Sequence, residues 1–297
     1  MRLGYTWGMD AERALRDFLV SRRAAIDPGR TGLPVGHGSR RVPGLRREEV
    51  AALAGVSVAY YTKLEQGRIG RISEEVLGAV ERALQLDQLE CAHLRTLVRN
   101  AGSRPTPSAP PPVKARPGVV AMVHALDLPA LVHGPRLEVL AVNHTARLLV
   151  DDFDAKPVKE RNLARWTFLD PRARIVYPEW DKIAPQVAAA LRQVAADRAA
   201  DPALEQLVGE IAVASPDFAR YWAEYRLYEH SYGVKRFFNE TVGEMTLHYE
   251  TMVLPGGKGQ SVIVFRADRG SPSEEKLRIL ASWNAPTAGE DARRIHP

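Results

Sequence analysis

Within Ser57–Lys63 the residues Ser57, Val58, Ala59, Tyr60, Thr62 and Lys63 offer hydroxyls, small apolar groups and one ammonium to the outside of a short helix. Four arginines stand just upstream: Arg40, Arg41, Arg46 and Arg47. Guanidinium groups hold phosphate oxygens whatever the base sequence, whereas hydroxyls, ammonium and methyl-sized groups can read base edges in a major groove. The chemistry on offer is recognition of a polyanionic duplex. Arg46 and Arg47 are expected on phosphates, and Lys63 on a guanine or a phosphate. Ser57 and Thr62 suit phosphate or base edges, while Val58 and Ala59 can only make apolar contact, as with a thymine methyl. Tyr60 either touches the backbone or covers the protein's own core. Arg40 and Arg41 lie in the Pro- and Gly-rich stretch Asp27–Gly44, a basic arm suited to the backbone or the minor groove.

Such a surface needs a scaffold, and Leu45–Gly67 supplies one. Val50, Leu53 and Ala54 recur at helical spacing, predicting a first helix with an apolar stripe. Gly55 stands where a tight corner needs positive φ, Val56 plugs the corner from below, and Ser57 can cap a second helix. Tyr61 and Leu64 point that helix inward, and Gly67 ends it. The pattern is that of a helix-turn-helix. An ordinary αα-hairpin would satisfy the apolar spacing too; the upstream arginines favour DNA.

Three further helices complete an all-α five-helix bundle. Asp10 caps one through Ile26, with Leu15, Phe18 and Leu19 buried. Ser73 caps another carrying Val76, Leu77, Val80 and Leu84. Asp87 and Glu90 form a capping box for the last, with Leu89, Leu94, Leu97 and Val98 inside and an end near Ala101.

The 297 residues suit about two domains. The net charge of +5 is unevenly placed: the first 104 residues hold 17 Lys+Arg against 12 Asp+Glu, and the remainder holds 24 of each. The excess positive charge thus accompanies the helix-turn-helix. A lone Cys91 fits packing in a reducing, cytoplasmic setting. No apolar run is long enough for a bilayer, and Met1–Gly8 lacks a signal-peptide core.

Residues 102–118, with six prolines, read as a semi-rigid linker between domains at 1–101 and 119–284, with a disordered tail at 285–297. In the second domain Ala130–His133 and Leu137–Val142 read as strands joined by a turn at Gly134-Pro135-Arg136. Asn143 caps a short helix to Val150. Trp180–Ala200, Pro202–Val213 and Pro216–Tyr225 read as helices, Arg226–Phe238, Val242–Val253 and Ser261–Arg266 as extended segments, and Ser271 starts a closing helix to about Trp283. Strands, then helices, then an antiparallel set predict an α+β sensor fold.

Together these residues resemble a known family. Val42-Pro43-Gly44-Leu45-Arg46-Arg47-Glu48-Glu49-Val50-Ala51, Leu53-Ala54-Gly55-Val56-Ser57 and Leu64-Glu65-Gln66-Gly67-Arg68 are similar to the Xre-type (Cro/C1-like) helix-turn-helix of MmyB-like regulators. The second domain continues the resemblance through Phe168-Leu169-Asp170-Pro171, Ser215-Pro216-Asp217-Phe218, Tyr221-Trp222-Ala223 and Gly233-Val234-Lys235-Arg236-Phe237. The resemblance implies a transcription regulator whose C-terminal domain has a PAS-like fold around a small hydrophobic or fatty-acid-like effector. Ala59, where an acidic residue is frequent, and Phe238-Asn239-Glu240, where His and Pro are usual, depart from the family pattern. Neither operator nor ligand identity carries over.

The ligand-site residues expected are Asn143, Arg161, Trp180, Trp222, Tyr225, His230, Lys235 and Phe237, with Arg161 or Lys235 suited to a ligand carboxylate. The implied partners are a double-stranded operator, a lipid-like effector and a second copy in a homodimer; no cofactor, metal site or membrane is expected. The histidines show no metal-ligand spacing, and there is neither a G-x-S-x-G nor a P-loop, so no enzyme is expected. Gly256-Gly257-Lys258-Gly259 reads as a hairpin tip, not a phosphate cradle. A second reading stays open: a DNA-bound adaptor whose C-terminal domain recruits a protein and takes no metabolite.

Overall fold

The computed structural model describes residues 11–31, 44–68, 72–101, 114–197, 201–228, 231–257 and 259–282. The N-terminal region holds helices α1 (Ala11–Ala25), α2 (Arg47–Leu53), α3 (Val58–Glu65), α4 (Glu74–Ala83) and α5 (Gln88–Ala101). The following α+β region runs α6 (Pro117–His124), β1 (Ala130–His133), β2 (Val139–Val142), α7 (His144–Leu149), α8 (Leu163–Leu169), α9 (Arg172–Val176), α10 (Trp180–Asp197), α11 (Pro202–Ala214), α12 (Pro216–Ala223), β3 (Tyr232–Asn239), β4 (Gly243–Val253), β5 (Ser261–Arg266) and α13 (Pro272–Ser282).

The chain forms two compact units, and their boundary does not follow the sequence order. The first joins the N-terminal helices to Arg192–Glu210 and Trp222–Tyr228. Its core packs Leu15, Phe18 and Leu19 of α1 with Leu45, Val50, Tyr61, Leu64, Leu77, Val80, Leu94 and Leu97, and it includes Ala196 and Tyr225. The caps follow from side-chain chemistry. The Ser73 hydroxyl accepts from Val76 N–H, while Asp87 and Glu90 accept from each other's backbone N–H at 2.8 and 3.1 Å, satisfying donors that a helix start leaves open.

His93, on α5, is buried in this core with its ring edge-on to Phe18 at 5.2 Å. Burial, then the nearby Arg192 and Arg22 guanidiniums, hold its pKa down to about 4. The folded imidazole thus binds a proton less readily than the unfolded one, whose pKa is 6.5. Stability is full above pH 6.5 and falls as pH drops toward 4. Denaturant melts should lose about 2 kcal/mol between pH 6.5 and 5, and His93→Gln should abolish that loss.

The second unit is built on a five-stranded antiparallel sheet in the order β2-β1-β5-β4-β3. Pairings Val132↔Val262 and Ala130↔Val264 put one set of side chains on one face. There Ala130, Val132, Ala141 and Val262 meet Val119 and Val123 of α6. The alternate residues, Lys235, Phe237, Leu247, Tyr249, Ile263 and Phe265, take the other face. The linker expected through Gly118 gives way to α6 at its end, because Pro117 occupies N1, where its missing N–H costs nothing. Helices α8 and α9, not foreseen, are locked by the buried carboxylate of Asp151, which accepts from Trp166 Nε1 at 2.8 Å and pairs with Arg172 at 2.9 Å.

Candidate nucleic-acid interface and effector site

Helices α2 and α3 meet at Gly55, whose φ of +66° favours glycine. Ser57 caps α3 by accepting from Tyr60 N–H at 3.1 Å. Val50, Ala51, Ala54, Tyr61 and Leu64 are buried, but Leu53 is 36% exposed, against expectation. In a helix of only seven residues the buried arc passes through 50, 51 and 54 and leaves 53 outside. Ser57, Val58, Ala59 and Lys63 are exposed along one side of α3, with Tyr60 and Thr62 half-buried beside them. Arg40 and Arg41 lie outside the described residues.

A buried carboxylate, to which the sequence pattern assigns no role, holds this pair together. Glu65, 1% exposed, accepts from Arg23 at 2.8 and 3.2 Å and from Arg47 Nε at 2.6 Å. Arg23 also donates to the Leu45 carbonyl at 2.8 Å, at the entry to α2. Three segments (α1, the start of α2 and the end of α3) are thereby joined through one anion. Arg47, expected on phosphate, is thus already engaged within the protein, though half its side chain remains exposed. Arg46 is similarly exposed and contacts Glu48 at 3.4 Å. Gly44 is needed here too: its φ is +72°, and a Cβ there would lie 2.3 Å from the Arg23 carbonyl.

The residues expected to bind a ligand are distributed over both units. Trp222 and Tyr225 belong to the first unit, and Asn143, Arg161, Trp180, Lys235 and Phe237 to the second; His230 lies outside the described residues. The Asn143 amide is taken up by main chain: Nδ2 donates to the Leu126 and Leu128 carbonyls, and Oδ1 accepts from Ala130 and Ala146 N–H. Arg161 donates to the Lys156 and Asp154 carbonyls, each at 2.9 Å. Trp180 Nε1 donates to the Thr167 carbonyl, and its ring lies 3.6 Å below the Arg174 guanidinium. All three groups are engaged by the protein's own main chain.

Lys235 and Phe237 differ. Phe237 is fully buried, 5.2 Å from the rings of both Tyr177 and Phe265. Two residues earlier on the same face, Lys235 is 7% exposed, its ammonium 4.3 Å from the Tyr249 ring centroid. Among the described residues no carboxylate reaches it. Burial alone pulls its pKa down to about 8. Thr251, on the same face of β4, has a buried hydroxyl without a hydrogen-bond partner. A lone Cβ at Gly233 would come within 3.0 Å of the Tyr249 ring, so glycine lets that ring lie along β3. A buried ammonium that no carboxylate reaches among the described residues, with aromatic rings on the same face of the sheet, has the chemistry that suits an anion with an apolar body. Alternation with Phe237 was the one sign in the sequence that Lys235 points inward.

Among the described residues no group of three or more His, Cys, Asp or Glu could hold a metal ion, and no helix is long and apolar enough to cross a membrane. No curated protein matches the chain. Residues 13–94 match the helix-turn-helix domain family. Residues 115–280, more than half the chain, match the MmyB-like transcription regulator ligand binding domain. With a DNA-binding helix pair at one end and a ligand-binding α+β domain at the other, the chain belongs to the MmyB-like transcription regulators.

Proposed function

We propose that the protein binds a specific operator as a homodimer through α3, and that its C-terminal domain is a PAS-like sensor for an amphiphilic carboxylate held by Lys235. The observation that carries the ligand is the buried Lys235 ammonium, which no carboxylate reaches among the described residues. The strand order β2-β1-β5-β4-β3 with helices after β2 supports the PAS-like reading. Arg161, its guanidinium engaged by carbonyls, is set aside as the ligand's anchor. The acid head group pairs with Lys235 and the chain packs against Phe237, Tyr177 and Phe265. On DNA, Arg40, Arg41, Arg46 and the exposed part of Arg47 meet phosphates. Ser57, Val58, Ala59, Tyr60, Thr62 and Lys63 face the groove. An effector of this kind regulates only by binding two arrangements of the protein with different affinity.

Two measurements test this. Native mass spectrometry should find a carboxylic-acid adduct on wild-type protein and none on Lys235→Met; a copurifying polypeptide without any small adduct would favour an adaptor. In binding selections from random duplexes, Lys63→Ala should relax preference at one or two base pairs, each worth about 1–3 kcal/mol, with the remaining positions unchanged. Uniform weakening at every position would place Lys63 on phosphate.

A further inference from the structure

The match to the ligand-binding domain includes Arg192–Glu210 and Trp222–Tyr228, yet those segments complete the unit that contains the DNA-reading helices. Their attachment is specific. The Arg192 guanidinium, 8% exposed, lies between two rings, 4.0 Å from the Trp222 centroid and 3.8 Å from that of Tyr225. It also donates to the Trp222 carbonyl. The Tyr225 hydroxyl donates to the Ala14 carbonyl of α1 at 3.0 Å, and Arg22 of α1 donates to the Tyr225 carbonyl at 3.0 Å. Asn100 of α5 donates to the Ala196 carbonyl. The ring of Tyr225 closes a cluster with Phe18 and His93, at 5.6 and 6.0 Å.

This attachment carries its own strain. Tyr225 has φ of +51°, a conformation that a bulky side chain rarely adopts and that only surrounding contacts maintain. A small cavity of about 30 Å³ remains beside it, bordered by Ala11, Ala14, Leu97 and Arg192. A strained turn, a desolvated cation and incomplete packing make a contact that can open without unfolding either partner.

The position of the contact gives it a consequence. Arg22, which holds the Tyr225 carbonyl and pairs with Glu90, is next in sequence to Arg23, which holds Glu65 and the Leu45 carbonyl. The last turn of α1 thus ties the Tyr225 turn on one side to the α2–α3 pair on the other. We infer that the Arg192–Trp222–Tyr225 turn is a latch through which the ligand-binding domain sets operator affinity: docked, it holds α1 and so the reading helices in register; released, it weakens DNA binding. The inference needs DNA binding but not any particular effector.

The test uses the full-length chain and the duplex that wild-type protein enriches from a random pool. Arg192→Met and Tyr225→Ala should each lower affinity for that duplex about tenfold. Amide exchange should speed up in α1 and α5 while α3 stays protected. Tyr225→Phe keeps the rings and loses one hydrogen bond, and Arg192→Lys keeps the charge and loses the flat stack. Both should fall between wild type and the larger changes, and they carry the test should either larger change prevent folding. Faster exchange in α1 with affinity within twofold of wild type would overturn the latch, as would unchanged exchange. A wild-type protein that enriches no duplex would overturn this inference and the operator reading together, whereas loss of the acid adduct would leave it standing.

Discussion

Glu65→Ala is expected to destabilise the DNA-reading unit by about 3 kcal/mol, the range for removing one member of a buried ion pair. Arg23, with only 12% of its side chain exposed, loses its counter-charge, and Arg47 loses the contact that fixes it at the start of α2. The cost exceeds the value of the contact itself, because a largely desolvated guanidinium keeps the Leu45 carbonyl but loses its counter-charge. Glu65→Gln keeps the volume and an acceptor, and should cost roughly half as much. Urea melts would show a lower midpoint at an unchanged slope, since the same surface is exposed on unfolding. Because Glu65 joins α1, α2 and α3, affinity for the operator should fall in the same variants. A midpoint within 0.5 kcal/mol of wild type would mean that the three groups do not act as one clamp.

The second large effect concerns Lys235. Its ammonium is buried, so its pKa falls from 10.5 to about 8. The unfolded chain then holds that proton more firmly than the folded one. Stability must rise as pH increases from 8 to 10.5, by up to about 3 kcal/mol. The Tyr177 phenol, pushed up by burial, works in the opposite sense above pH 10, so the informative quantity is the difference between wild type and Lys235→Met. That variant should be more stable than wild type at pH 7, the two converging near pH 10.5. Adding a saturated long-chain carboxylate should flatten the wild-type slope, because the ammonium is then paired. The same acid should bind Lys235→Met at least about 30-fold more weakly, its head group being left without a partner. Equal binding by both proteins would exclude Lys235 as the anchor.

The helix pair could be read from sequence because its information is local: a capping serine, a corner glycine and two inward residues three apart. Element bounds in β1, β5 and α7 follow the sequence for the same reason. Helices α8 and α9 could not be read, being five to seven residues long, too short for a periodic stripe and held by Asp151 from elsewhere in the chain. Nothing in the spacing of Trp222 and Tyr225 announces the left-handed backbone at Tyr225 or their membership of the first unit. Nor does sequence distinguish Arg161, held by two carbonyls, from Lys235, which lies over the Tyr249 ring, since the difference lies in which groups happen to be near.

Strand β3 is the last of its sheet, with Tyr232 and Val234 exposed along it. Open strands of that length invite a stranger's backbone, and a lysine pointing inward from an edge strand is one of the commonest deterrents, since an added strand would close the little access to water that its charge retains. A residue kept for catching an acid would then also guard the protein against fibrous self-association, and a variant freed of that charge would gain thermal resilience while becoming harder to keep in solution.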